Sequence, residues 1–86
     1  MEKVTGRLLV VDDNDLNREM LSRRLQRKGF DVVTAADGHR AMKLIEDENN
    51  FDLILLDIMM PGITGIEVLE ILRKRYSPAE LPIIMA

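Results

Sequence analysis

Apolar residues in this chain fall into short unbroken runs separated by spaced stripes. Leu8-Leu9-Val10-Val11 and Leu53-Ile54-Leu55-Leu56 are unbroken, and Leu81-Pro82-Ile83-Ile84-Met85 nearly matches them. Runs of this length suit strands covered on both faces. They predict strands over Arg7–Asp12, Asp52–Asp57 and Leu81–Ala86, the last beginning in effect at Pro82, because proline fits a strand's first residue or an edge. Val32-Val33 centres a further strand over Asp31–Ala35.

The stripes lie between the runs. A helix is expected over Asp15–Lys28, with Leu16, Met20, Leu21 and Leu25 on its inner face. Asn14 or Asp15 can cap its start and Gly29 can end it. Asp37-Gly38 marks a turn into a second helix over His39–Asp47, with Ala41, Leu44 and Ile45 inward, and the polar Glu48-Asn49-Asn50 follows. Met60-Pro61-Gly62-Ile63-Thr64-Gly65 reads as a loop from its Pro and Gly content. A third helix is expected over Ile66–Tyr76, with Ile66, Leu69 and Leu72 (or Arg73) inward, stopped by Ser77-Pro78.

The order is β-α-β-α-β-α-β. Strands alternating with helices of this length imply right-handed crossovers, hence an α/β fold with a doubly wound parallel sheet. There are no internal repeats or low-complexity segments. The sequence stops inside the apolar run Ile83-Ile84-Met85-Ala86, and a domain seldom ends on an uncapped core strand, so a longer parent is expected.

Composition narrows the reading. A chain of 86 residues is one domain at most and sits near the lower limit for a single adequate core. Phe30, Phe51 and Tyr76 are the only aromatics, so aliphatic side chains must build that core. With no cysteine, neither a disulfide framework nor a thiolate metal site is available. A net charge of −3 argues against nucleic acid as the direct partner of this segment. No apolar stretch approaches the roughly 20 residues of a bilayer span, and Met1–Gly6 lacks a secretory pattern. A cytoplasmic protein without a membrane segment is expected.

The candidate chemistry lies where the strands end. Asp12-Asp13 closes the first apolar run and Asp57 closes the third predicted strand. In a parallel sheet, strand C-terminal ends share one edge, so neighbouring strands would bring three carboxylates into one pocket. Like charges that close repel, and their pKa values rise unless a positive charge sits among them. A hard divalent cation with oxygen ligands answers this. A strand-end Asp beside Mg²⁺ is also a reasonable nucleophile toward phosphorus. The plainer alternative is that each Asp merely ends a strand or caps a helix. An adjacent pair and a third, each after a buried-type run, favour the pocket.

These residues carry a resemblance. Leu9-Val10-Val11-Asp12-Asp13, Ala36-Asp37-Gly38 with Ala41, Asp52-Leu53-Ile54-Leu55-Leu56-Asp57-Ile58-Met59-Met60-Pro61-Gly62, Gly65 and Leu81-Pro82-Ile83-Ile84 together resemble the receiver domain of bacterial two-component response regulators. The resemblance covers essentially the whole chain. It implies a flavodoxin-like receiver fold with strand order 2-1-3-4. It implies that Asp57 is the phosphoacceptor and that Asp12 and Asp13 hold Mg²⁺, one of them often through water. The backbone carbonyl of Met59 would complete the metal site, and the Met59 side chain would influence how fast water reaches the phosphate. The phosphodonor would be a sensor histidine kinase or a histidine phosphotransfer protein, and the recipient a C-terminal output domain or a downstream protein.

The family pattern continues past a fourth strand to a switch Thr or Ser, and past a fifth strand to a Lys. Neither position occurs in residues 1–86. The sequence is therefore expected to be a receiver domain lacking its C-terminal third. Without a fifth strand, the edge of Leu81–Ala86 could pair with another copy. Without a fifth helix, an apolar strip beside helix one would be uncovered, made by Leu8, Val10 and Ile54 or their strand neighbours.

Two rival readings compete with this one. A Mg²⁺-dependent aspartyl-phosphate phosphatase or phosphotransferase of the haloacid dehalogenase type also uses a strand-end Asp. It needs a second Asp two residues later, where Met59 follows Asp57. Asp13-Asn14-Asp15 does have that spacing, but this rival leaves Asp57 and the following Met-Pro-Gly unexplained. A degenerate receiver acting only as a binding module is disfavoured by the intact Asp12, Asp13 and Asp57. His39 reads as an exposed helix-start residue rather than a metal ligand. Arg18, Arg23, Arg24, Arg27 and Lys28 make helix one strongly basic, either as solvated surface or, as the resemblance suggests, as a docking face for the phosphodonor. Arg73-Lys74-Arg75 favours the dipole at the end of helix three. Gly62 and Gly65 do not form a nucleotide-binding fingerprint.

Overall fold

The computed structural model of the chain describes residues 6–48 and 50–85. Its elements are β1 (Arg7–Val11), α1 (Asp15–Arg27), β2 (Asp31–Ala35), α2 (Gly38–Glu48), β3 (Leu53–Leu56), α3 (Gly65–Arg73) and β4 (Ile83–Met85). The strands form one parallel sheet in the order β2-β1-β3-β4. This is the expected doubly wound, flavodoxin-like arrangement. Ala86, expected as the end of the fourth strand, lies outside the described residues. Among the described residues, no helix is long and apolar enough to cross a membrane.

Register separates the two sheet faces. Leu9 pairs with Ile54 and Val11 with Leu56, while Leu8 pairs with Leu53 and Val10 with Leu55. Leu9, Val11, Ile54 and Leu56 enter one buried cluster with Ala41 and Ile45 of α2 and Val68 and Leu72 of α3. Alternation puts Leu8, Val10, Leu53 and Leu55 on the opposite face. Ile54 therefore does not belong to the strip expected beside helix one. Its place there is taken by Leu53 and Leu55, both half-buried, with Ile84, which pairs with Leu55 and is 53% exposed. Leu8 and Val10 are buried, at 4% and 1%, so the strip is not uncovered where it was expected to be.

Side-chain caps fix the helix starts. The Asn14 side chain accepts from the Asn17 amide at the start of α1, and Gly29 follows that helix at φ 102°, a conformation suited to glycine. Asp37 accepts from the Arg40 amide at the start of α2. Thr64 and Glu67 form a reciprocal capping box at the start of α3.

Two predicted stripes need correction. Leu16 and Met20 are exposed on α1, at 72% and 51%, while Leu21 and Leu25 are half-buried. Leu16 and Leu25 are nine positions apart, about two and a half turns, so they face opposite ways. On α3, Gly65, Val68 and Leu72 are buried and Leu69 packs half-buried against the core, so Leu69 and Leu72 face inward as expected, whereas Ile66 is half exposed. The helix starts at Gly65 and ends at Arg73, so Tyr76 lies beyond it. The α2 stripe is as expected, with Ala41 and Ile45 buried and Leu44 half-buried.

The rim where the strands begin is held largely by Arg7. Its guanidinium bonds to Asn50 and Glu48, pairs with Asp31 at 3.4 Å, and lies 5.1 Å over the Phe51 ring. Its backbone N–H donates to Asp52 Oδ2 at 2.7 Å. One side chain thus connects β1, β2, the end of α2 and the approach to β3.

Candidate functional site

The opposite rim carries the acidic residues. β1 and β3 are adjacent, and Asp12 and Asp57 are the first residues past each. Ladder hydrogen bonds continue one step into the loops. The Asp57 amide donates to the Val11 carbonyl at 2.9 Å, and the Asp12 amide to the Ala35 carbonyl at 3.2 Å. Both residues are therefore set by the sheet rather than by flexible loop backbone.

One carboxylate oxygen from each of Asp12, Asp13 and Asp57 lies within 4.8 Å of the others. The predicted convergence is thus present, with Asp12 and Asp57 half-buried and Asp13 exposed. Asp15 is not part of it. Its side chain is 88% exposed and pairs with Arg18, so the Asp13-Asn14-Asp15 spacing does not bring two carboxylates into the pocket.

The Asp57 carboxyl is held above its ordinary range. Burial is the main cause. The Met59 amide, donating to Oδ1 at 3.2 Å, pulls the other way, and Asp12 and Asp13 add to the rise. Among the described residues, no cation is among the groups acting on it. Hard oxygen donors gathered without a positive partner fit a small divalent ion that keeps some of its waters.

The two loops are shaped for this placement. Asp12 Oδ1 accepts from the Asn14 amide at 2.8 Å, so part of that carboxylate also shapes the β1–α1 turn. In the β3–α3 loop, Met60 is buried and anchors the chain in the core, while Met59 is 80% exposed beside Asp57. Gly62 turns at φ 78°. Gly65 packs so closely on Asp57 that a Cβ there would overlap the Asp57 carbonyl oxygen. Gly38 is also crowded, by the side-chain methyls of Ile63 and Val68.

Two features were missed in the sequence. Thr64-x-x-Glu67 has the capping-box spacing and was readable. Arg18 gave no sign that it bonds to the Asp12 carbonyl, because its neighbours on helix one are just as basic. His39 is exposed and stands apart from the carboxylates, as expected. Leu16 and Met20 lie exposed on α1, and a recess lined by Asp12, Asn17, Met20, Leu21 and Arg24 joins that helix to the acidic rim.

Comparison with known proteins identifies the family. A sequence model of the response regulator receiver domain matches residues 8–86. An uncharacterized transcriptional regulatory protein of Bacillus subtilis (strain 168), YrkP, is 47% identical over 68 residues, which cover 79% of this chain and 29% of that protein. The response regulator TrrA from Thermotoga maritima, solved in complex with Mg²⁺-BeF, superposes with a TM-score of 0.85 at 42% identity, over 93% of this chain and 67% of that one. A putative two-component response regulator/GGDEF domain protein gives a TM-score of 0.90 at 34% identity, over 93% of this chain and 33% of that one. The chain thus spans less than a third of the curated relative. Its sequence match, sheet order and acidic rim agree, and the chain belongs to the response regulator receiver domain family of two-component signalling.

Proposed function

We propose that this segment is the phosphoacceptor part of a receiver domain and that Asp57 takes a phosphoryl group from a phosphohistidine. The observation that carries this reading is the meeting of Asp12, Asp13 and Asp57 within 4.8 Å at the ends of β1 and β3. Asp12 and Asp13 would hold Mg²⁺ together with Asp57 and the Met59 backbone carbonyl. When bound, Mg²⁺ neutralises charge on the transferring phosphoryl group. An Asp57 carboxylate oxygen attacks phosphorus while the bond from phosphorus to the donor imidazole nitrogen breaks, and that nitrogen keeps the electron pair and takes up a proton. The product is an acyl phosphate on Asp57, a labile group suited to a timed signal.

The donor would be a sensor histidine kinase or a histidine phosphotransfer protein. It would approach over α1, where exposed Leu16 and Met20 flank the acidic rim. The recipient would be an output domain or a downstream protein, and the setting cytoplasmic. In this reading residues 1–86 hold the metal and acceptor half of the site. The family's switch hydroxyl and Lys correspond to positions outside this sequence.

In the full-length protein, acetyl phosphate with Mg²⁺ is expected to modify Asp57 alone. Reduction of the acyl phosphate by borohydride, followed by mass spectrometry, locates it. Modification that persists in Asp57→Asn rejects the assignment.

A further inference from the structure

Arg18 differs from the other cations of α1. Arg23 pairs with Glu19 along the helix surface with its side chain 67% exposed, whereas the Arg18 side chain is 20% exposed. Its Nη1 donates to the Asp12 carbonyl at 2.9 Å, and its Nη2 donates to Asp15 Oδ1 at 2.5 Å. A guanidinium offers donors in a fixed planar fork, so one side chain here holds both ends of the turn between β1 and α1. Residues 12 and 13 sit at the start of that turn. The Asp12 carbonyl belongs to the peptide that joins them, so its orientation bears on the direction in which Asp13 leaves the end of β1 beside Asp12.

We infer that Arg18 is a positioning residue for the metal pocket, fixing the Asp12 peptide so that Asp12 and Asp13 stay converged on Asp57 against their mutual repulsion. The inference rests on reading those three carboxylates as the Mg²⁺ site. Arg18 contacts the backbone carbonyl of Asp12, and its carboxylate bond goes to Asp15, outside the cluster. Its part is therefore geometric rather than that of a counter-ion. A lysine at this position keeps the charge but cannot span both acceptors.

The test uses the full-length protein, Mg²⁺ titrations followed by amide shifts, and acetyl phosphate labelling at saturating Mg²⁺. Arg18→Met and Arg18→Lys are each expected to weaken Mg²⁺ binding about tenfold, the usual scale for losing a group that orients a metal ligand. Labelling at saturating Mg²⁺ should stay within about twofold of the parent, because Asp57 and its own supports are untouched. Arg18→Lys keeps most of the side chain and serves if Arg18→Met does not fold. The exposed Arg23→Met should bind Mg²⁺ as the parent does. Parent-like affinity in Arg18→Lys would overturn the inference, since charge alone would then suffice. A fall in affinity, saturated labelling and melting midpoint together would also overturn it, as a general loss of fold. Asp13→Asn that binds Mg²⁺ as tightly as the parent would instead reject the metal pocket, and the inference with it.

Discussion

At Asp57, burial and two neighbouring carboxylates together outweigh the Met59 hydrogen bond, and this makes the site unfavourable for the fold without a cation. In the folded chain the carboxyl loses its proton at higher pH than its ordinary 3.8. Between those two values the folded state binds more protons, so stability falls as pH rises through the window that opens above 3.8. The loss is complete above the folded value. Asp57→Asn retains an oxygen for the Met59 amide and removes the charge. In Mg²⁺-free buffer near neutrality it is expected to melt at a higher temperature than the parent, with the gain disappearing in acid. Circular dichroism melts at the two pH values check this, and a lower midpoint at neutrality would contradict it. The meeting of Asp12, Asp13 and Asp57 was legible in the sequence because Asp12-Asp13 and Asp57 each close an apolar run of strand length. Arg18 was not, because a basic residue on a basic helix shows its purpose only once the turn before it has folded back.

Among the elements, α2 followed its pattern while α1 and α3 did so only in part. On α1, Leu16 and Leu25 belong to opposite sides, and counting apolar residues without tracking phase hides this. On α3, the start at Gly65 turns Val68 inward and leaves Ile66 half exposed. The capping box and the close packing of Gly65 both act at that start, with different consequences. Thr64→Ala removes a cap and is expected to cost about 1 kcal/mol. Gly65→Ala forces a methyl group into the Asp57 backbone, a rigid neighbour, and is expected to cost about 3 kcal/mol and weaken Mg²⁺ binding as well. Urea unfolding of both variants with Mg²⁺ titration separates them. Gly65→Ala with stability and Mg²⁺ affinity like the parent's would show that the loop can shift without moving Asp57.

For the whole molecule, the order β2-β1-β3-β4 was legible only through the receiver resemblance, because alternating strands and helices by themselves imply a parallel, doubly wound sheet without fixing its strand order. The make-up of the face beside α1 was legible only in part, since a one-residue change of register exchanges Ile54 for Leu53 and Leu55. Among the described residues, β4 pairs only with β3, and Ile84 is exposed beside it. The 86-residue segment on its own is expected to associate through that edge. Light scattering across a concentration series checks this, and a stable monomer at high concentration would contradict it. The Arg7 network has a consequence for motion. It ties the beginnings of three strands to the end of α2 through one residue, so those segments separate only if several bonds break together. At the acidic edge the bonds are spread over separate residues instead, Asp12 to Ala35, Asp57 to Val11 and Arg18 to the Asp12 carbonyl, and like charges press Asp57 and the pair apart. The sheet is therefore pinned like a hand fan at its handle, by one residue with many bonds, while at the other rim each blade has its own tie, so an arriving ion or phosphoryl group can re-set one loop without undoing the rest.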